Sequence, residues 1–306
     1  MKLSQAIHDF EIFLKADSRS PHTIGSYMHD LYSFQNWLNG DPDISSIQAA
    51  SLHQFLASDA VLKKPDGSSR TKGSINKIKT TFKSFFRWAD KTGIIAANPA
   101  ASIRIKFYQR ALPDILTEIE QKQLLKTLAR TKGQRAFRDR IIYTLFLNTG
   151  LRVRELVSLD IADINLPEKR LTVTTKGSQE TTKFLNVHAR RVLEQYLKWR
   201  RKQATDSLAL FLSSRKTRLS IRQVQRSFEQ WLAEAGIDKS LTVHSMRHTF
   251  ASTLYEKSNN LIAVQQALGH RSITSTMIYT HLNPEQLINS LESMWKTCFH
   301  FGDAHF

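Results

Sequence analysis

The sequence predicts a mainly helical chain of two domains, the second interrupted by a small antiparallel β-sheet built on a hairpin. Three observations predict this. Apolar residues recur at helical spacing through the first hundred positions. A basic stretch without periodicity follows, ending at Thr117 and Glu120, which are spaced as a capping box that opens a helix. Further on, Leu171-Thr172-Val173-Thr174 and Thr182-Lys183-Phe184-Leu185 read as strands around Lys176-Gly177-Ser178. The expected divisions are a helical domain over 1–101, a basic linker over 102–113, a second domain over 114–298 and a tail over 299–306.

Each element has a local reason. Ile7, Phe10 and Leu14 make the stripe of a first helix. Ser20-Pro21 starts a second, with Ile24, Tyr27, Leu31, Phe34 and Leu38 on one face and Asn39-Gly40 as its stop. A weaker third helix is expected over 48–62, then a turn from Lys63 to Ser69. The fourth, over 71–92, carries Ile75, Ile78, Phe82 and Phe85 on a face that needs a core. Lys72, Lys79, Lys83 and Arg87 project beside that face, and all are positive. They are either a solvated face or a contact to DNA. Arg104, Lys106 and Arg110 continue the positive charge into the linker. In the second domain a helix is expected near 137–148 and another from about Arg152, with several more after the hairpin. Ser272 stands as the N-cap of a helix bearing Tyr279. Asn283-Pro284 starts a last helix whose Leu287, Leu291 and Trp295 form an apolar stripe. That stripe packs on its own domain or on a neighbouring protomer.

Composition narrows the class. Lys and Arg number 44 against 27 Asp and Glu, a formal charge of +17. Self-repulsion of that size calls for an anionic partner such as nucleic acid, although a merely basic protein shares the feature. Cys298 is the single cysteine, which leaves no intramolecular disulfide and no cysteine zinc site. The first residues turn polar too soon for a signal peptide, and no apolar run approaches a membrane span. A cytoplasmic protein is expected. His244 and His248 have the i, i+4 spacing of a zinc pair, but Ser245 stands where a metalloprotease carries Glu. No metal and no cofactor is expected, and no G-x-x-x-x-G-K-[ST] loop supports nucleotide hydrolysis.

Four stretches could carry chemistry. In Thr149-Gly150-Leu151-Arg152-Val153-Arg154-Glu155-Leu156, Gly150 ends one helix and Arg152 begins the next. An arginine at a helix N-terminus is either a surface residue at a turn or one half of an anion site. Lys176-Gly177 is a hairpin lysine, by itself ordinary solvent decoration. His244 and Arg247 are at i and i+3, so they share a helical face and can grip one ligand. In Leu268-Gly269-His270, Gly269 permits a turn that presents His270, and Tyr279 follows as either a core aromatic or a reactive phenol.

Taken in order, Thr-Gly-Leu-Arg-x-x-Glu-Leu, the hairpin Lys-Gly, His-x-x-Arg-His, Leu-Gly-His and Ile-Tyr-Thr-His resemble the tyrosine recombinase (phage-integrase and Xer-like) family over roughly residues 115–290. The helical first domain is similar to that family's four-helix, SAM-like core-DNA-binding domain. The resemblance implies the tyrosine recombinase fold and an active site of Arg152, Lys176, His244, Arg247, His270 and Tyr279, supported by Glu155 and His248. It implies Tyr279 as nucleophile, His244 as its proton acceptor, Lys176 as proton donor to the leaving 5′ oxygen, and the two arginines on the phosphate. Its expected partner is double-stranded DNA with paired inverted-repeat core sites, bound by a tetramer that passes through a Holliday junction at the nucleoid. Two departures stand out: Arg154 replaces a residue that is small in many members, and Gln179-Glu180-Thr181 replaces the basic cluster that often follows Lys-Gly. Rival readings are a DNA-binding module that does not cut, a type IB topoisomerase and a metal-dependent nuclease.

Overall fold

The computed structural model describes residues 1–106, 112–174, 180–269 and 272–279, in two compact units that divide between Ala111 and Leu112. The expected hairpin tip at Lys176, together with Arg110, His270 and the helix from Asn283, lies outside the described residues.

The first unit contains α1 (Leu3–Ala16), α2 (Pro21–Trp37), α3 (Ala49–Ala57), α4 (Asp59–Leu62) and α5 (Lys72–Lys91). Leu3, Ile7, Phe10 and Leu14 form the buried stripe of α1, as the periodicity requires. At the start of α2, the Ser20 hydroxyl accepts from the Thr23 amide at 3.2 Å, with Pro21 in the first turn. The helix expected over 48–62 is broken. Ser58 is extended, at ψ 160°, and its hydroxyl donates to the Phe55 carbonyl at 2.7 Å, so the chain restarts as the single turn α4. In α5, Thr71 caps the N-terminus, and Ile78, Phe82, Phe85 and Phe86 are buried. The core is an aromatic lattice: Phe34 meets Phe55 at 5.0 Å and Phe82 edge-on at 5.3 Å, while Phe10 meets Phe85 at 5.3 Å. Ile103, placed by the sequence in the linker, belongs to this core.

The second unit opens with α6 (Glu118–Arg130), whose Thr117–Glu120 capping box forms as expected. It continues with α7 (Gln134–Thr149), α8 (Val153–Ser158), the strands β1 (Ile164–Asn165), β2 (Arg170–Thr174) and β3 (Glu180–Phe184), then α9 (Val187–Arg200), α10 (Ile221–Glu234), α11 (Val243–Ser258) and α12 (Leu261–Leu268). Helix α7 is central. Ile141, Ile142, Tyr143, Leu145 and Phe146 are all buried, and it packs against α6, α9 and α11. The sheet is antiparallel in the order β1-β2-β3, and Leu171 faces Lys183 while Val173 faces Thr181. Strand β1 is an addition that no sequence pattern announced.

The helix expected from Ser272 does not form. Ser272 caps a 3-10 turn, Ile273–Ser275, and Tyr279 ends a second one, Met277–Tyr279, with Thr276 fully buried between them. The cause is local. Ile273, Thr274, Ser275 and Thr276 are β-branched or hydroxyl-bearing, and such residues lose rotamer freedom in a helix or compete for its backbone bonds.

Gly150 ends α7 at φ 61°, and a Cβ there would stand 2.4 Å from the Phe250 ring of α11. Gly150→Ala combines a left-handed backbone penalty of about 1–2 kcal/mol with overpacking of about 1–3 kcal/mol. Urea unfolding should therefore show a loss of roughly 2–5 kcal/mol, the sum of those two terms. An unchanged midpoint would mean that Phe250 moves aside freely.

Candidate active site

Helices α7 and α12 both end on left-handed glycines, Gly150 and Gly269. A helix C-terminus presents carbonyls without intrahelical partners at the negative end of its dipole, which is a place for cations. Arg247, on the second turn of α11 and only 2% exposed, occupies both ends. Its Nη1 donates to the Gly150 carbonyl at 2.6 Å and its Nη2 to the Leu268 carbonyl at 2.8 Å. One guanidinium thus joins the Thr-Gly-Leu-Arg turn to the Leu-Gly-His turn.

Arg152 lies two residues past Gly150, as the N-cap of α8. Glu155 holds it twice. One carboxylate oxygen accepts from the Arg152 amide at 2.8 Å and the other from Nη1 at 2.6 Å. The carboxylate is buried while the Arg152 side chain stays 42% exposed, so the pair anchors a guanidinium that still faces outward.

A further cation enters from β3. Lys183 is 4% exposed, and its ammonium donates to the Ala267 carbonyl, one residue before the carbonyl that holds Arg247. Burial, then Arg247, pull its pKa down to about 8. Burial and Arg152 likewise pull Arg247 down to about 10. Glu155 is the one carboxylate that opposes these shifts. A cluster this deficient in negative charge is ready for an anion. The sequence reading passed over Lys183, yet a signal was present. Residues 181, 183 and 185 share a strand face, and a buried Leu185 turns Lys183 inward and leaves Phe184 77% exposed.

Tyr279 is 7% exposed among Ala251, Val264 and Leu268. Its hydroxyl lies 2.7 Å from His248 Nδ1. The expected proton acceptor, His244, does not make this contact. Its ring stands edge-on against His248, with centroids 4.7 Å apart. Burial first, then His244 and Arg247, lower the His248 pKa to about 4, so its ring is neutral. With the ring proton on Nε2, Nδ1 accepts the phenol hydrogen. His244, more open to solvent, is also held below its ordinary value, by desolvation and then by Arg247 and Arg152. Burial raises the Tyr279 pKa, with Arg247 pulling against it. Among the described residues no group of three or more His, Cys, Asp or Glu could hold a metal ion. His270 and Lys176 lie outside the described residues.

In the first unit, Lys83 donates to the Ile103 carbonyl at 2.9 Å, and Lys79 reaches the Arg104 carbonyl at 3.5 Å. Asn76 donates to the Lys106 carbonyl at 2.7 Å. The segment 103–106 is thereby laid along α5, which sets Arg104 and Lys106, both exposed, beside its cations. Lys72 and Arg87 are exposed on the same helix. No helix among the described residues is long and apolar enough to cross a membrane.

Because folding holds His248 neutral, the unfolded chain binds a proton there between pH 6.5 and about 4 that the folded chain does not. Stability should fall as pH drops through that window, and His248→Gln should fall less steeply. Tm measured against pH for both proteins checks this, and identical slopes would remove the buried imidazole as a cause.

Residues 114–286 match the Phage integrase family, and residues 7–93 match the Phage integrase N-terminal SAM-like domain. The Tyrosine recombinase XerC of Thermodesulfovibrio yellowstonii is 33% identical over 275 residues, spanning 88% of each chain. That of Vibrio cholerae serotype O1 is 38% identical over 216 residues, 70% of this chain and 68% of the relative. In fold, the chain is similar to the XerH site-specific recombinase bound to palindromic difH substrate, with a TM-score of 0.72, 23% identity, and coverage of 92% of this chain and 82% of that one. The guanidinium of Arg247 on two helix ends, Arg152 beside it, the buried phenol and these likenesses converge: the chain belongs to the phage integrase family and is a tyrosine site-specific recombinase.

Proposed function

We propose that this recombinase transfers a DNA phosphodiester to the Tyr279 hydroxyl and back, leaving a 3′-phosphotyrosyl link and a free 5′ hydroxyl between the two steps. The observation that carries the proposal is the Tyr279 phenol bonded to a neutral His248, one residue along α11 from Arg247. Attack forms the bond from the phenolic oxygen to phosphorus and breaks the bond to the 5′ oxygen. The phenol proton passes to His248 Nδ1, with His244 beside it. An ordinary phenol has a pKa near 10, so the transfer has to accompany attack.

Arg152 and Arg247 receive the non-bridging oxygens. A guanidinium has five N–H donors, and among the described residues Arg247 uses two of them on carbonyls, an arrangement that holds the fork in place for phosphate. Donors fixed in this way stabilise the developing charge by about 3–4 kcal/mol each. Glu155 keeps Arg152 aimed. The family resemblance adds His270 to the phosphate contacts and Lys176 as proton donor to the leaving oxygen. The new ester retains the energy of the old bond, so rejoining needs no ATP.

The substrate is double-stranded DNA carrying paired inverted-repeat core sites, consistent with the palindromic substrate of XerH. Four protomers exchange strands through a Holliday junction, at the nucleoid in the cytoplasm, in chromosome-dimer resolution or in the movement of a compact mobile element. Lys72, Lys79, Lys83, Arg87, Arg104, Lys106 and Arg110 meet the backbone of that DNA.

Expressed in cells with DNA from around its gene and then denatured, wild type should carry covalently attached DNA that maps to one short inverted repeat, and Tyr279→Phe should carry none. A nicked duplex that loses its 5′ fragment traps the adduct if it is short-lived. Adducts scattered without consensus would point to a topoisomerase, and an empty trap on DNA that is demonstrably bound would leave a binder that does not cut. Arg152→Ala should slow trapped-adduct formation roughly 10²–10³-fold. Lys79→Ala and Lys83→Ala should weaken binding alike on all sequences, each reducing the slope of log affinity against log salt by about 1.

A further inference from the structure

Strand β3 reads Glu-Thr-Thr-Lys-Phe, and Lys183 is its one basic residue. The lysine faces Leu171 and Thr181 faces Val173, with Leu185 next on the same inward side. Leu171, Val173 and Leu185 are buried, and so is Lys183. An ammonium taken out of water is costly unless it is well partnered, whereas a methionine fills similar space without that cost. Packing therefore gives no reason for a lysine here, and the reason lies in its bond.

That bond reaches the end of α12, where the last four carbonyls lack helical partners. Gln265 and Gln266 accept from the Gly269 amide, Ala267 from the Lys183 ammonium, and Leu268 from Arg247 at 2.8 Å. Every terminal carbonyl of the helix is thus satisfied, two of them by cations. Successive carbonyls stand about 100° apart around a helix axis. The two cations accordingly approach from different sides, Arg247 from α11 and Lys183 from the sheet. A helix end held by one bond can turn about it, and one held from two separate elements cannot. Strand β3 also borders the following turn. The place where a Cβ of Gly269 would stand is 3.7 Å from the Lys183 ammonium and 3.8 Å from the Thr181 side chain. Through Arg247 the same helix end is joined to the Gly150 carbonyl, two residues before Arg152.

We infer that Lys183 is a positioning residue: its bond to the Ala267 carbonyl ties β3 to the turn that leads into His270, so that this turn and the hairpin of Lys176 are presented to Arg247 as one unit. In sequence His270 follows Gly269 directly, and Lys176 lies between β2 and β3. The inference rests on the strand-transfer reading above, in which both residues serve the scissile phosphate. Lys183 touches neither DNA nor a reacting atom in this role, and its ammonium stays on the carbonyl throughout.

The test measures single-turnover adduct formation by the full chain at saturating nicked core-site duplex, recovered from adduct mapping. The nick makes trapping irreversible, so slow variants are read from long incubations. Lys183→Met should keep the wild-type urea midpoint and duplex affinity, yet form adduct roughly 10–10²-fold slower. Lys183→Arg, which keeps N–H donors on a long stem, should recover most of that loss. In a His270→Gln background, Lys183→Met should slow the reaction by less than about twofold, because residues that act as a unit do not add. A Lys183→Met protein as fast as wild type overturns the proposal. So does one with a lowered urea midpoint or lost duplex binding, which makes the lysine a packing residue. Lys183→Arg as slow as Lys183→Met, or a loss that multiplies with that of His270→Gln, overturns it too. Absence of adduct from wild type is the distinct failure of the strand-transfer reading.

Discussion

Arg247 occupies the point where two helices of the second unit stop, and its guanidinium is bonded to a terminal carbonyl of each. Helix ends in a protein interior carry carbonyls that need donors, and a buried arginine needs acceptors. Each requirement meets the other here. The α7 end delivers Arg152 two residues later, and the α12 end leads into the turn that precedes Tyr279. Because one planar group makes both bonds, the two turns are fixed relative to each other and to α11. An arginine is suited to this and a lysine is not, since two donors in a rigid fork define an orientation as well as a charge.

The two glycines make that junction possible. Each turns its chain through a left-handed conformation, and at Gly150 the space a side chain would fill is already taken by Phe250 of the arginine-bearing helix. The close approach of α7 to α11 is therefore a condition of the active-site geometry as well as of packing.

Electrostatics shape the candidate site of the second unit. Arg152, Arg247 and Lys183 are gathered with Glu155 as the one opposing carboxylate among the described residues, and burial first, then their mutual repulsion, depresses the pKa values of Arg247 and Lys183. The phosphodiester proposed to bind here would relieve that repulsion, and the transition state, which concentrates charge on the phosphoryl oxygens, would relieve it further. The proposed nucleophile is held differently. Tyr279 ends a short 3-10 turn, where a hydrogen bond to His248 and a small apolar cluster hold it among the described residues.

Much of this was determined by the sequence alone. The stripes of α1, α2 and α5, the Thr117–Glu120 box, the glycine stop of α7 and the shared face of His244 and Arg247 all depend on residues a few positions apart, whose geometry the backbone dictates. The ordered motifs carried the resemblance to the family. Tertiary structure decided what local spacing leaves open. His244 and His248 are one turn apart on the same face, and only the placement of Tyr279, 31 residues on, selects His248 as its partner. Lys183 and Phe184 could each have faced the core, and pairing with Leu171 together with burial of Leu185 turned the lysine inward. Arg247 finds its acceptors 97 and 21 residues away, at helix ends that packing alone brings together. Periodicity encodes which side of an element is buried, but the partner that meets it there is set by the close packing of the whole unit.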